Sequence, residues 1–411
     1  MAHTFTASSG LHHERASLDA LFSYGFRPFF LGAAVFAILL MSAWITWLGS
    51  QGLWNRPWDL PVAGSPFAWH AHEMIFGFAA AAVAGFLLTA VPNWTGALPL
   101  SGPPLVWLFS VWVAGRVMMA VSGLLAPTLV AAVDVAFLPL LGGFAAFQLF
   151  EKPAARNFVF LVILAALTAA NIAYHLAVNG VITADGSMRF ALMVLVLMVS
   201  IIGGRIIPAF THNWLHLNVG AVPMPRRVAW LDAASIVSIA LLALCQAGPV
   251  PAGVEGSIAL AAALLNGARL FLWRGWMTWR APIVFVLHAA YAWLVIGLLL
   301  LALAGFTDHL PSVPATHALG VGAVGTMIMA VMTRASLGHT GRPLVAPAPI
   351  VWSYALVTLA TVLRIAGPPL LPDLWIECLL AAALAWIAAF ALFVIVYTPI
   401  LTTPRVAMKR A

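Results

Sequence analysis

Residues 69–96 read WHAHEMIFGFAAAAVAGFLLTAVPNWTG. The stretch opens on His70, His72 and Glu73, runs apolar for about one membrane width, and closes on Pro92-Asn93-Trp94. A second stretch, residues 317–341, reads HALGVGAVGTMIMAVMTRASLGHTG. The two align without a gap at an offset of 245, which sets His72, Gly77, Ala90, Thr95 and Gly96 on His317, Gly322, Ala335, Thr340 and Gly341. Small residues abound in both, so part of that agreement is composition. A histidine at each helix mouth is harder to ascribe to composition, and we read an internal repeat built around metal-capable side chains.

The rest of the chain follows the same pattern. Of its 411 residues, 63% are hydrophobic and 8% charged, whereas soluble domains carry about a quarter charged residues. That composition excludes a soluble fold and predicts an all-α polytopic membrane protein. About twelve segments are long and apolar enough to span, near 26–49, 70–92, 103–123, 127–150, 157–179, 188–210, 227–247, 254–274, 281–304, 314–334, 348–367 and 373–398. Helices satisfy every backbone group within their own segment, as hydrocarbon demands.

The net charge of +7 is a matter of orientation, with no nucleic-acid signal. Loops on one side carry Lys152, Arg156, Arg226, Arg227, Arg274, Arg280 and Arg342, and the tail adds Arg405, Lys409 and Arg410. The other side has little beyond Arg56 and Arg189. This asymmetry predicts that both termini lie in the cytoplasm. Residues 1–25 then form a cytoplasmic tail, 26–398 a single transmembrane domain, and 399–411 a second cytoplasmic tail. Arg27, in Phe26-Arg-Pro-Phe-Phe30, is expected to snorkel at the interface.

Further correspondences extend the repeat. Asn93-Trp94 matches Asn213-Trp214 at an offset of 120, and Arg156-Asn-Phe and Arg280-Ala-Pro open the fifth and ninth segments much as Phe-Arg-Pro opens the first. Three units of four helices (26–150, 157–274 and 281–398) are expected. An even number of helices per unit gives all three the same orientation, unlike the inverted repeats of many transporters.

Polar residues inside these spans are the candidates for chemistry. One layer holds His70, His72, Glu73, His175 and His317; another holds His212, His216 and His339, with His288 in the inner half of the ninth span. Imidazole suits copper, haem iron and zinc. His70 and His72 point to different faces of a helix, and His72 is preferred as a ligand because His317 is its counterpart. Convergence of His72, His175 and His317 would suit copper, while one or two opposed imidazoles would suit haem. The plain alternative for each is an interfacial histidine bonded to water or backbone. Glu73 either answers the helix dipole or serves His72 as proton donor or hydrogen-bond partner. Arg116, Arg205, Arg334 and Arg364 (the counterpart of Arg116 at an offset of 248) each need a carboxylate, a carbonyl or an anionic ligand. Haem propionates are one such anion; bridges to Asp134 or Asp232 are the structural alternative. The glycines of these spans read as helix packing, and the methionines of 327–332 as core. The two cysteines form no CxxCH or CxxC motif, so any haem would be non-covalent, of b type.

Taken together, Phe26–Phe30, Trp69–Met74 with Phe76-Gly77, Gly204–Asn213, His317–Gly320 and Met332–Arg342 resemble the NnrS family of bacterial membrane proteins. The resemblance implies a twelve-helix inner-membrane protein that carries haem and copper and defends against nitric oxide and nitrosative stress, often alongside denitrification. The leading expectation is a protein that binds nitric oxide, or reduces it as a metal-dependent oxidoreductase, with membrane lipid around it and a quinol or cytochrome as electron donor. Arg116, Arg205 and Arg334 would then hold the cofactor, with Glu73 as the catalytic acid. The alternative is a transporter or channel for copper, haem or a small anion. A sensor ranks last, since no output domain is visible.

Overall fold

The computed structural model describes residues 16–52, 57–152, 155–182, 186–220, 223–307 and 309–406. His3, His12, His13, Arg56, Lys409 and Arg410 lie outside them. The described residues are helical, with no strand among them. Eleven helices are long and apolar enough to cross a membrane: α1 (Phe26–Gln51), α2 (Pro66–Thr95), α3 (Pro103–Ala120), α4 (Pro127–Glu151), α5 (Ala155–Val178), α6 (Ser187–Asn218), α8 (Ala252–Leu272), α9 (Pro282–Phe306), α10 (Val313–His339), α11 (Ala348–Leu370) and α12 (Pro372–Thr402). Between α6 and α8 lies α7 (Ala229–Cys245), an apolar helix of 17 residues, at the lower limit for a span. All twelve segments expected from hydropathy are therefore helices of a polytopic membrane protein.

Three of them form the centre. α2, α6 and α10 bury 83%, 78% and 67% of their most apolar stretches, against 56% at most for any other of the eleven. Each of these three touches the other two. Around them α4 packs on α5, α8 on α9, and α12 on α1, so the outer helices close into a ring. Contacts thus follow the four-helix period: the second helix of every four is central, and the fourth meets the first of the next four.

Arg27 takes part in that closure and does not snorkel. It is buried, and its Nη1 donates to the carbonyls of Leu401 (2.8 Å) and Thr403 (2.7 Å). The last carbonyls of a helix have no partner within it and carry the negative end of its dipole. A guanidinium at the start of α1 therefore caps the end of α12.

α2 and α10 share a local irregularity. Each contains a π-helical stretch, Glu73–Ala79 in α2 and Ala318–Gly325 in α10, and their first residues are again 245 apart. The aligned part of α6 is regular α-helix. Such π turns are rare and concentrate at functional sites. Both begin immediately after the aligned histidines, His72 and His317.

Close helix approach is made by glycine. A Cβ on Gly305 of α9 would stand 2.6 Å from the Ala252 carbonyl oxygen and 2.7 Å from Gly256 Cα of α8, backbone atoms that cannot swing aside. Gly305→Val is expected to push α8 and α9 apart and to cost about 1–3 kcal/mol, read as a lower Tm of the purified protein. Gly143→Val, where a Cβ meets nothing within 4 Å, should leave Tm unchanged; equal losses would refute this account of the contact.

Candidate metal site

A charged side chain in hydrocarbon persists only where it meets partners. Near the start of α2, four helices bring such partners to one point. α2 supplies His72 and Glu73, α3 Arg116, α4 Asp134, and α5 Asn171 and His175, which are four residues apart and so share a helix face. All six are buried.

Arg116 bridges two carboxylates, with Nη1 donating to Glu73 Oε1 and Nη2 to Asp134 Oδ1. The opposite oxygen of Asp134, Oδ2, accepts from Asn171 Nδ2 (2.9 Å) and His175 Nε2 (2.9 Å). His72 lies between the acids. Its Nδ1 is 2.8 Å from Glu73 Oε1, and its Nε2 is 2.9 Å from Asn171 Oδ1 and 3.2 Å from Asp134 Oδ2. Because the Asn171 amide donates its Nδ2 to Asp134, its oxygen faces His72.

Charge counting constrains this cluster. One guanidinium faces two carboxylates, so with neutral imidazoles the site has one excess negative charge. Both ring nitrogens of His72 also look onto acceptor oxygens. A neutral ring has one N–H and one lone pair, and the lone pair confronts an acceptor in either tautomer: Glu73 Oε1 if it is on Nδ1, Asn171 Oδ1 and Asp134 Oδ2 if it is on Nε2. Two states relieve this conflict: an imidazolium, which donates at both nitrogens, or a cation among the lone pairs. His72, Asp134 and His175 each offer a ligand atom, all within 4.8 Å of one another. Ligands on one tetrahedral ion at about 2.0–2.2 Å stand about 3.3–3.6 Å apart; His72 Nε2 and His175 Nε2 lie 3.2 and 2.9 Å from Asp134 Oδ2. Glu73 on Nδ1 then does what carboxylates commonly do for a ligating histidine, fixing the tautomer that leaves Nε2 for the metal.

Aromatic side chains pack against the cluster. The Tyr174 ring lies 4.4 Å from the His72 ring. Gly77, within the π turn, lacks the Cβ that would collide with Phe36, and Phe36 packs against the Arg116 guanidinium. The Trp112 indole donates to the Gly77 carbonyl at 3.0 Å.

The other sequence candidates lie elsewhere. His317 does not join His72 and His175. It lies near His70 and Arg364. There the His317 Nδ1–H donates to the Val313 carbonyl (2.9 Å), and His70 stacks on Trp44 at 4.4 Å with its Nδ1 unpartnered. At the far end of the bundle, Arg205 donates to Asn157 Oδ1 and the Arg156 carbonyl, and Arg334 lies 3.8 Å over the Phe210 ring. His212 stacks on His216, His339 packs against Tyr24 and Phe26, and His288 Nε2 is 2.8 Å from Thr211 Oγ1. The structural alternative for the arginines applies to Arg116, which meets Asp134; Asp232 pairs instead with Arg227 and Arg269. Asn171 was not among the expected site residues, and Asp134 figured only as a bridge partner. An acid within an apolar span is the signal that singles out Asp134; Asn171 has no comparable one.

The family model described as NnrS protein matches residues 20–405 of the chain. No curated protein matches it.

Asp134→Ala removes the acceptor of Arg116 Nη2, Asn171 Nδ2 and His175 Nε2, while Glu73 still balances the Arg116 charge. We expect a loss of about 1–3 kcal/mol from the buried donors left unpaired, measured by thermal or denaturant unfolding in detergent. A variant as stable as the parent would mean that the cluster is not organised by Asp134.

Proposed function

Because the chain belongs to the NnrS family, we propose that it serves the nitric oxide response by binding nitric oxide at a metal centre held within the membrane by His72, Asp134 and His175. The observation that supports this most is the buried cluster itself: two imidazoles and a carboxylate on three helices, in surroundings one negative charge in excess. Nitric oxide is uncharged and enters lipid freely, so a centre inside the bilayer meets it without a polar channel.

The two histidine clusters differ in charge, and this favours different cofactors. Around His72 the excess is negative, which suits a bare cation; imidazole and carboxylate together suit copper. Around His70 and His317 the charge is Arg364, with no hydrogen-bond or ion-pair partner among the described residues. A ligand there has to bring negative charge of its own, as a non-covalent haem does with its propionates. His317 has the form of a ligating histidine, with its Nδ1–H on a backbone carbonyl and Nε2 left over.

Copper at His72 would supply an open coordination position for nitric oxide and a one-electron couple. The chain's own part is positioning and proton handling. Arg116 holds Glu73 and Asp134 in place. Glu73 holds the proton on His72 Nδ1 and is the residue placed to pass it on. Tyr174 packs on the His72 ring and Phe36 on the Arg116 guanidinium. Turnover would need an electron donor, a quinol or a cytochrome. The Lys and Arg asymmetry of the loops supports an inner-membrane setting with cytoplasmic termini. Transport of copper, haem or an anion finds less support, because α2 and α10 pass through their π turns as continuous helices.

The test is metal analysis with optical and EPR spectra of the purified protein, before and after nitric oxide. Copper content is expected to fall at least about tenfold in His72→Gln and His175→Gln, with haem retained. Copper undiminished in both variants would end this assignment.

Charge balance gives a second expectation. A site that holds a proton on His72 when empty must release it to a metal ion, so affinity should rise with pH. Loading copper into metal-free protein in weak buffer near pH 7 is expected to free about one proton per ion from this imidazole. Uptake without proton release would count against an imidazolium in the empty site.

A further inference from the structure

The three central helices share a pattern of exposure. Along α2, residues 75–85 are all buried; beyond them Phe86 and Ala90 are partly exposed and Asn93 is exposed. The repeat offsets of 120 and 245 set Ile206 and Val331 on Phe86, Phe210 and Ala335 on Ala90, and Asn213 and Gly338 on Asn93. Each row is uniform: partly exposed in the first two, exposed in the third. Steps of four and three residues keep the rows on one face of each helix. The outer helices close around the triad, and α6 meets α2 and α10 chiefly along their π stretches, at the end that holds His72. Toward the other end the three helices therefore leave a crevice that opens at its mouth.

Its depth and its wall differ in chemistry. Phe86 and Val331 of the first row also line a gap of about 480 Å³, together with Met198, Ile202, Met327 and Met332. Every side chain of that gap is hydrocarbon or thioether. One charge stands on the wall nearer the mouth. The Arg334 guanidinium lies 3.8 Å over the ring of Phe210, a residue of the second row. It has no hydrogen-bond or ion-pair partner among the described residues. α6 and α10 carry no acid, and the one acid of α2 is Glu73, at the opposite end. A guanidinium at membrane depth needs an anion or a carbonyl, and the neighbouring helices supply neither.

These two features select a ligand. A small inorganic anion would answer Arg334 and leave the apolar gap unfilled. A quinone would fill the gap and bring no charge. Haem needs an axial ligand, and no histidine lines the gap. A phospholipid would have to bring two chains past the closed ring of outer helices. We propose that the crevice binds a single-chain anionic amphiphile, a long-chain fatty acid, with its carboxylate on Arg334 and its chain in the gap between Met198 and Met327. Guanidinium and carboxylate match in two parallel hydrogen bonds, and thioether side chains adapt to a flexible chain. The site lies at the opposite end of α2 from His72 and does not rest on the metal reading.

The experiment is native mass spectrometry of the full-length protein in neutral detergent, titrated with palmitate and, separately, with hexadecanol. Palmitate is expected to bind saturably, one molecule per chain, and hexadecanol about tenfold or more weakly, for want of the charged head. Arg334→Gln should weaken palmitate about tenfold and leave hexadecanol unchanged. Ala335→Phe, which narrows the crevice, should weaken both, and His72→Gln neither. No saturable palmitate in the parent protein overturns the proposal without recourse to any variant. Equal binding of acid and alcohol refutes the role of Arg334. Palmitate bound undiminished by a folded Arg334→Gln protein places the ligand elsewhere, and a co-purifying phospholipid that palmitate cannot displace refutes the single chain.

Discussion

A guanidinium inside hydrocarbon has to be neutralised by groups from its own protein, and Arg116 shows how much structure that requirement recruits. It draws Glu73 from α2 and Asp134 from α4 to its own helix, α3. Asp134 in turn holds Asn171 and His175 of α5. Four helices are thereby tied at one buried point. The two carboxylates overshoot the single positive charge, and that surplus turns a structural ion cluster into a site with a need for a proton or a metal ion.

Related places in the bundle have been equipped differently. Arg364 stands to α11 as Arg116 stands to α3, yet Ala318 occupies the position that aligns with Glu73. α12 has two acids near its start, Asp373 and Glu377, and both are exposed. The same frame thus carries an anionic cluster at one position and a cationic one at another. Arg269 shows a third solution: a closed network with Asp232, Ser200, Asn266 and Tyr291, in which donors and acceptors answer one another. Only where the account fails to balance internally is there a physical reason for a ligand.

Much of this was readable from composition and periodicity. A span needs an apolar run of fixed length, so the helices near 26–49, 103–123 and 348–367 declare themselves. The offset of 245 also anticipated more than it claimed, for both π turns begin at the residue after the aligned histidine. Helix geometry separates His72 from His70, the one entering the ion cluster and the other stacking on Trp44. The pairing of His72 with His317 as ligands of one site did not follow. His317 lies instead near His70 and Arg364, apart from Asp134 and His175.

The sequence by itself determined the helices, their number and the family, because each depends on local apolar content and on motifs contiguous in the chain. It also determined which side chains are too polar to face lipid. Which of those side chains share a site was decided only by tertiary structure. Asp134, Asn171 and His175 reach His72 from 62, 99 and 103 residues away, and separations of that kind leave no periodicity to read. The charge of the site was settled at the same level, since the excess of carboxylate over guanidinium exists only once α2, α3 and α4 have packed together.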